Sequence, residues 1–231
     1  MKKIYSKLLR AVLRANSKTL DPVQNSINEK VAASIQKWIE DKGYCKPDQS
    51  IADVAAVMGV SQGGMIAQYF AADYPDMTEA LILAVTAPYA NETAKERVER
   101  WLELTEQGDH KGLMIDTAEH SYSEAYLRRY RKAYPLLGAV GRPKSYERFL
   151  ANARAILAFD ARDVLDKIAC PTLILGGEED RIVGAEASRE LHRAIAPSEL
   201  FLYPGLGHAA YEEAKDFSAR VYRFLEGCIW R

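Results

Sequence analysis

The sequence predicts an α/β fold, a parallel sheet with crossover helices, on three observations. Short apolar runs recur along the chain, each is bounded by Gly or Pro, and helix-like sequence separates one run from the next. The runs are Val54–Met58, Leu81–Val85, Thr172–Leu175 and Leu200–Tyr203. Each is about four to six residues long, the length of a strand.

Taken in order, the N-terminal part reads as helices, with one stripe at Ile4, Leu8, Val12 and Leu13 and another at Val31, Ile35, Trp38 and Ile39. The second has marked ends. Ser26-Ile27-Asn28-Glu29 is a capping box, in which hydroxyl and carboxylate each satisfy an orphan backbone N–H, and Gly43 suits the left-handed position past the last turn. The run Val54–Met58 then leads through Gly59 into a helical stripe of Met65, Ile66, Tyr69 and Phe70. Between Asn91 and Ile168 no strand is predicted. Ala94, Val98, Trp101 and Leu102, then Tyr126 to Tyr134, then Phe149, Ile156 and Leu157 predict consecutive helices, an inserted helical lobe. The division expected is a helical segment over 1–50 and an α/β domain over 51–231, with the lobe at about 91–168.

The 231 residues, 48% of them hydrophobic, suffice for one sizeable core. A net charge of -1 gives no general reason to expect a nucleic acid or membrane partner, although the first twenty residues hold six basic side chains and no acid. That basic, amphipathic stretch reads as a solvated helix, with an organellar transit peptide as the alternative. No apolar run reaches the roughly 18 residues of a membrane span. Cys45, Cys170 and Cys228 are odd in number and lack metal or redox spacing, so a reducing, cytoplasmic setting is expected, with neither metal nor cofactor.

The chemistry is concentrated at strand ends. Gly59-Val60-Ser61-Gln62-Gly63 is a G-x-S-x-G between a predicted strand and a predicted helix. A sharp turn there pushes the Ser61 hydroxyl outward and sets the Gln62 N–H, at a helix N-terminus, where an oxyanion would form. A serine hydroxyl is a weak nucleophile until a base takes its proton. Asp180 follows the third run in Gly176-Gly177-Glu178-Glu179-Asp180, and His208 follows the fourth in Pro204-Gly205-Leu206-Gly207-His208. Both loops would leave the same sheet edge as Ser61, so acid and base can converge on it. Glu178 and Glu179 are rival acids, although Asp180 best fits the end of the loop. His110, His120 and His192 are read as solvated or packing residues.

Together the segments Gly59 to Ala67, Pro171 to Asp180 and Gly205 to His208 resemble the α/β-hydrolase family, especially its esterase and lactonase-like members with a helical cap. The resemblance covers about residues 57 to 226. It implies that Ser61 attacks an acyl carbon of a small ester, His208 relays the proton, Asp180 orients His208, and the lobe caps the substrate. It also implies a truncated sheet. Family members carry several strands before the serine turn and an early His-Gly segment supplying a second oxyanion N–H, and Met1 to Val57 contains nothing of that kind. The serine strand, central in the family, becomes an edge, which predicts cover by the N-terminal helices or pairing of two chains into a homodimer.

Val31 to Gln62 resembles the start of an AraC-type helix-turn-helix domain instead, with Ala55-x-x-x-Gly59-Val60-Ser61 as its turn, as if two sequences had been joined there. Its recognition helix would be Gln62 to Tyr74, which has no Lys or Arg to neutralise phosphate or read guanine. Nucleic acid is therefore disfavoured. The expectation is a serine esterase, with a weakly active hydrolase-like protein or a DNA-binding fragment as alternatives.

Overall fold

A computed structural model describes residues 56–140 and 143–229; the helices expected before residue 50, and most of the helix-turn-helix resemblance, lie outside the described residues. Four strands, β1 (Ala56–Val60), β2 (Ala80–Ala84), β3 (Thr172–Gly177) and β4 (Ser198–Tyr203), form one sheet in the order β1-β2-β3-β4. All three pairings are parallel, with Val60 opposite Ala84, Ala84 opposite Leu175 and Leu175 opposite Phe201. This is the α/β fold predicted. The carboxyl ends of all four strands therefore share one rim.

Helices on both faces make the two central strands apolar but for Thr172, and every residue of β2 and β3 is buried. Leu81, Leu83 and Ile174 meet Ala67 and Ala71 of α1 (Gln62–Asp73) and Leu191 of α7 (Ala185–Ala194). Ile82, Leu173 and Leu175 point the other way, toward Phe217 and Phe224 of α9 (Phe217–Ile229). Each such buried Leu or Ile stabilises the fold by about 1.5–3 kcal/mol.

Between β2 and β3 come α2 (Glu92–Glu106), α3 (His110–Ser121), α4 (Glu124–Tyr130), α5 (Tyr134–Val140) and α6 (Glu147–Leu157). The stems of this insertion grip each other, because Ala90 N–H donates to Phe159 O at 3.0 Å and Ala161 N–H to Pro88 O at 2.8 Å. A short helix α8 (Ala210–Glu213) follows β4. Among the described residues no helix is long and apolar enough to cross a membrane.

Three expectations are corrected. Ala56–Val60 is a strand paired with β2, so these residues do not form the first helix of a helix-turn-helix, and Gln62–Asp73 packs against the sheet. The buried stripe of α1 is Gly64, Met65, Ala67, Gln68, Ala71 and Ala72, while Ile66 and Tyr69 are exposed. Four of these six, Gly64, Ala67, Ala71 and Ala72, are small because the helix lies close to β1 and β2. Strands β3 and β4 are longer than their apolar runs, since Gly176 and Gly177 at the end of β3, and Ser198 and Glu199 at the start of β4, pair through backbone groups that ignore side-chain polarity. Strand β1 is an edge of the described sheet.

Candidate active site

Ser61 sits between β1 and α1 at φ 51°, a backbone region that disfavours any residue with a Cβ. Its N–H donates to Ala84 O at 2.9 Å, which pins the turn to β2. Strand and helix cross so closely that a Cβ on Gly59 would stand 2.4 Å from Gly63 O. Gly63 itself faces open space, and the second glycine that contact demands is Gly64, where a Cβ would stand 2.6 Å from the Thr86 side chain.

Acid and base loops are tied together before either reaches Ser61. Glu178 N–H donates to Tyr203 O at 3.0 Å and Glu179 N–H to Leu206 O at 2.9 Å. A Cβ on Gly177 would lie 2.3 Å from Gly207 O, so the approach depends on glycine. The result is a continuous chain of contacts. Ser61 Oγ lies 2.9 Å from His208 Nε2, and His208 Nδ1 lies 2.9 Å from Asp180 Oδ2. The tautomer that satisfies both ends carries its proton on Nδ1, donates it to the carboxylate and accepts from the serine hydroxyl at Nε2.

Asp180 is buried, and its other oxygen accepts from Ile182 N–H at 2.8 Å and Val183 N–H at 3.0 Å. Burial pushes its carboxyl up, but the charge and hydrogen bond of His208 and those two N–H groups together hold it below the usual carboxylate range. It therefore stays ionised and acceptor-only at neutral pH. The rival acids Glu178 and Glu179 are exposed. Gln62 N–H, at the start of the twelve-residue α1, donates to no described residue.

His192 lies on the exposed surface against Ser198, and His120 is bonded to the Asp116 carbonyl within the helical insertion. Neither these nor His110 belongs to the chain of contacts around Ser61.

Several contributors escaped the sequence reading. Thr86 Oγ1 donates to Ser61 O at 2.7 Å, and fully buried Gln68 donates through Nε2 to Gly64 O and Ala87 O, both at 3.1 Å. The insertion grips the histidine loop: Ala209 N–H donates to Ser121 O at 2.8 Å, and Glu213 accepts from Ser123 N–H and Oγ–H at 2.9 and 2.5 Å. Tyr122 donates to Glu212 at 2.7 Å. Asn91 caps α2 and donates to Val183 O at 2.8 Å, joining the insertion to the acid loop. Thr86 alone left a signal, as the residue ending the apolar run beside the serine strand.

Residues 44–215 match the family model described as "Serine aminopeptidase, S33". Two pimeloyl-[acyl-carrier protein] methyl ester esterases of Neisseria meningitidis are each 31% identical to the chain. For the serogroup A protein the match spans 186 residues, 76% of this chain and 58% of the relative. For a serogroup B protein it spans 184 residues, 75% of this chain and 69% of the relative. The chain thus spans 58% and 69% of the length of these two relatives. Among solved structures, an alpha/beta hydrolase enzyme from a Medee basin deep-sea metagenome library superposes with a TM-score of 0.69 at 25% identity, over 83% of this chain and 69% of that one.

Proposed function

Because the chain belongs to the serine aminopeptidase family of α/β hydrolases, we propose that it cleaves a small carboxylic ester or related acyl substrate, with Ser61 as nucleophile, His208 as base and Asp180 as the acid that orients it. The observation carrying this reading is the unbroken Ser61–His208–Asp180 chain, two contacts of 2.9 Å on a strained turn. The likeness to the two Neisseria methyl ester esterases favours ester over peptide substrates.

In the first half of the reaction His208 Nε2 takes the Ser61 proton while Oγ bonds to the acyl carbon, and the carbonyl electron pair moves onto oxygen. The Gln62 N–H meets that oxyanion at the positive end of α1. Asp180 stabilises the imidazolium without taking its proton. Collapse of the adduct breaks the bond to the alcohol, which leaves with the proton from Nε2. Water then repeats the sequence on the acyl-serine and releases the carboxylic acid.

The test compares the full chain with its Ser61→Ala variant on a short p-nitrophenyl ester, an aminoacyl p-nitroanilide and a fluorophosphonate label. The expected result is ester turnover and covalent labelling in the parent and neither in the variant. Labelling that survives the substitution overturns the nucleophile assignment. Turnover of the anilide in preference to the ester overturns the substrate class.

A further inference from the structure

We propose that Thr86 is a positioning residue for the oxyanion donor, holding by its hydroxyl the peptide plane that carries the Gln62 N–H. The inference rests on the serine-hydrolase reading and deepens it. Ser61 C=O and Gln62 N–H belong to one peptide unit, which is planar and rotates as a rigid plate. Whatever fixes the oxygen therefore fixes the direction of the N–H. Thr86 Oγ1 donates to that oxygen at 2.7 Å from across the sheet.

The way Thr86 reaches this oxygen is itself unusual. Val85 has φ 44°, and it and Ser61 are the non-glycine residues with positive φ in the described chain. A β-branched side chain disfavours that region strongly, so the conformation persists only because its surroundings impose it. Val85 is buried, and its N–H donates to Leu175 O at 2.7 Å. Val60 and Ala84 are opposite each other in the register, so the two strained residues are the next pair along β1 and β2. The bend at Val85 ends β2 and presents the following side chain to the serine turn.

Two further contacts hold the arrangement. The Thr86 side chain fills the space that the missing Cβ of Gly64 leaves, and Gln68 ties Gly64 O and Ala87 O together from inside α1. Thr86 is also almost fully buried, at 1% exposure, so water does not compete for its hydroxyl. A hydrogen bond accepted at C=O further polarises the plate and strengthens its N–H as a donor. Thr86 thus acts through Gln62, and touches no reacting atom itself.

Thr86→Val keeps the shape and removes the hydroxyl. Ser61 O keeps the Gly64 and Met65 N–H groups at 2.9 and 3.3 Å, so no carbonyl is orphaned and the variant is expected to fold. Misdirecting one oxyanion donor lowers kcat for a p-nitrophenyl ester by ~10- to 100-fold with KM unchanged. Affinity for an alkylboronic acid, which forms a tetrahedral adduct on serine, falls in parallel, and the pH profile of kcat stays where it was. Thr86→Ser retains the parent kcat. Should Thr86→Val fail to fold, Thr86→Ser against Thr86→Ala gives the same comparison of hydroxyl present and absent.

Parent-like kcat and boronate affinity in the hydroxyl-free variants of an active parent overturn this inference alone. So does a Thr86→Ser variant as impaired as Thr86→Val, which would make the methyl group the reason for threonine. A parent protein without turnover or labelling overturns the serine-hydrolase reading, and this inference falls with it.

Discussion

Replacing Asp180 by Asn tests the orienting role with almost no change of shape. One carboxylate oxygen accepts from Ile182 and Val183 N–H at 2.8 and 3.0 Å, and the other from His208 Nδ1 at 2.9 Å. An asparagine must turn its carbonyl oxygen toward the two N–H groups, because the reverse buries an NH2 against two donors at a cost of about 1–3 kcal/mol per unmet group. Its NH2 then faces His208 Nδ1 and can only donate to it. The imidazole is forced into the other tautomer, with its proton on Nε2 pointing at Ser61 Oγ, 2.9 Å away. The serine proton has lost its acceptor. Wrong-tautomer substitution in a serine triad lowers kcat by ~10⁴, or roughly 5 kcal/mol of barrier. The assay is kcat on a p-nitrophenyl ester, with a thermal melt to verify folding and Glu179→Gln as the exposed-acid control. Turnover in Asp180→Asn within about tenfold of the parent refutes the reasoning, as does an equal loss in Glu179→Gln.

Two further predictions concern stability. Glu213→Ala leaves the Ser123 N–H and hydroxyl, buried at 4% exposure, without their acceptor, which costs about 1–3 kcal/mol per group. Tm should fall by several degrees in a melt followed by circular dichroism, and an unchanged Tm would rule out the grip. The second is a pH dependence. Asp180 is held below its unfolded value of about 3.9, so the unfolded chain binds more protons between the two values and stability rises with pH there. Its contribution is complete above the unfolded value and disappears as pH falls through the folded one. In urea unfolding, the stability difference between parent and Asp180→Asn should be constant near neutrality and shrink below about pH 4; a difference that grows on acidification would contradict the assigned shift.

Much of the fold was legible because burial on both faces leaves an unmistakable trace. Leu81–Ala84 and Leu173–Leu175 are apolar throughout since helices cover both sides of β2 and β3. The same logic misled at α1. A helix that lies close to a sheet packs through Ala67, Ala71 and Ala72, and the conspicuous Ile66 and Tyr69 point outward. Ser61, Asp180 and His208, which the fold brings together, could be singled out as candidates because each stands in a short glycine-containing segment just past a strand, a signal local in sequence. Of their supports only Thr86 left a trace, at the end of an apolar run, and nothing tied it to Ser61. Thr86 meets Ser61 O from 25 residues away, and Glu213 meets Ser123 from 90. No periodicity connects such residues; only the approach of folded elements does.

The register of the sheet explains why these parts meet. All four strands run parallel, so each delivers its carboxyl end to the same rim, and each end supplies one part of the site. Ser61 follows β1, Thr86 follows β2 after one strained residue, Asp180 follows β3 and His208 follows β4. Neighbouring strands lie about 4.8 Å apart, so Ser61 and His208, carried by β1 and β4, are separated by three strand spacings at the sheet itself. Their 2.9 Å contact therefore depends on the loops beyond the strands, above all on the Pro204–His208 segment reaching back over β3. That explains the strapping of the histidine loop by Gly177, by the acid-loop N–H groups and by the helical insertion at Ser121. The longest reach in the site is held by the most contacts, whereas the Ser61 turn, next to its own strand, is held by Ala84 and Thr86 on the β2 side and by the first N–H groups of α1.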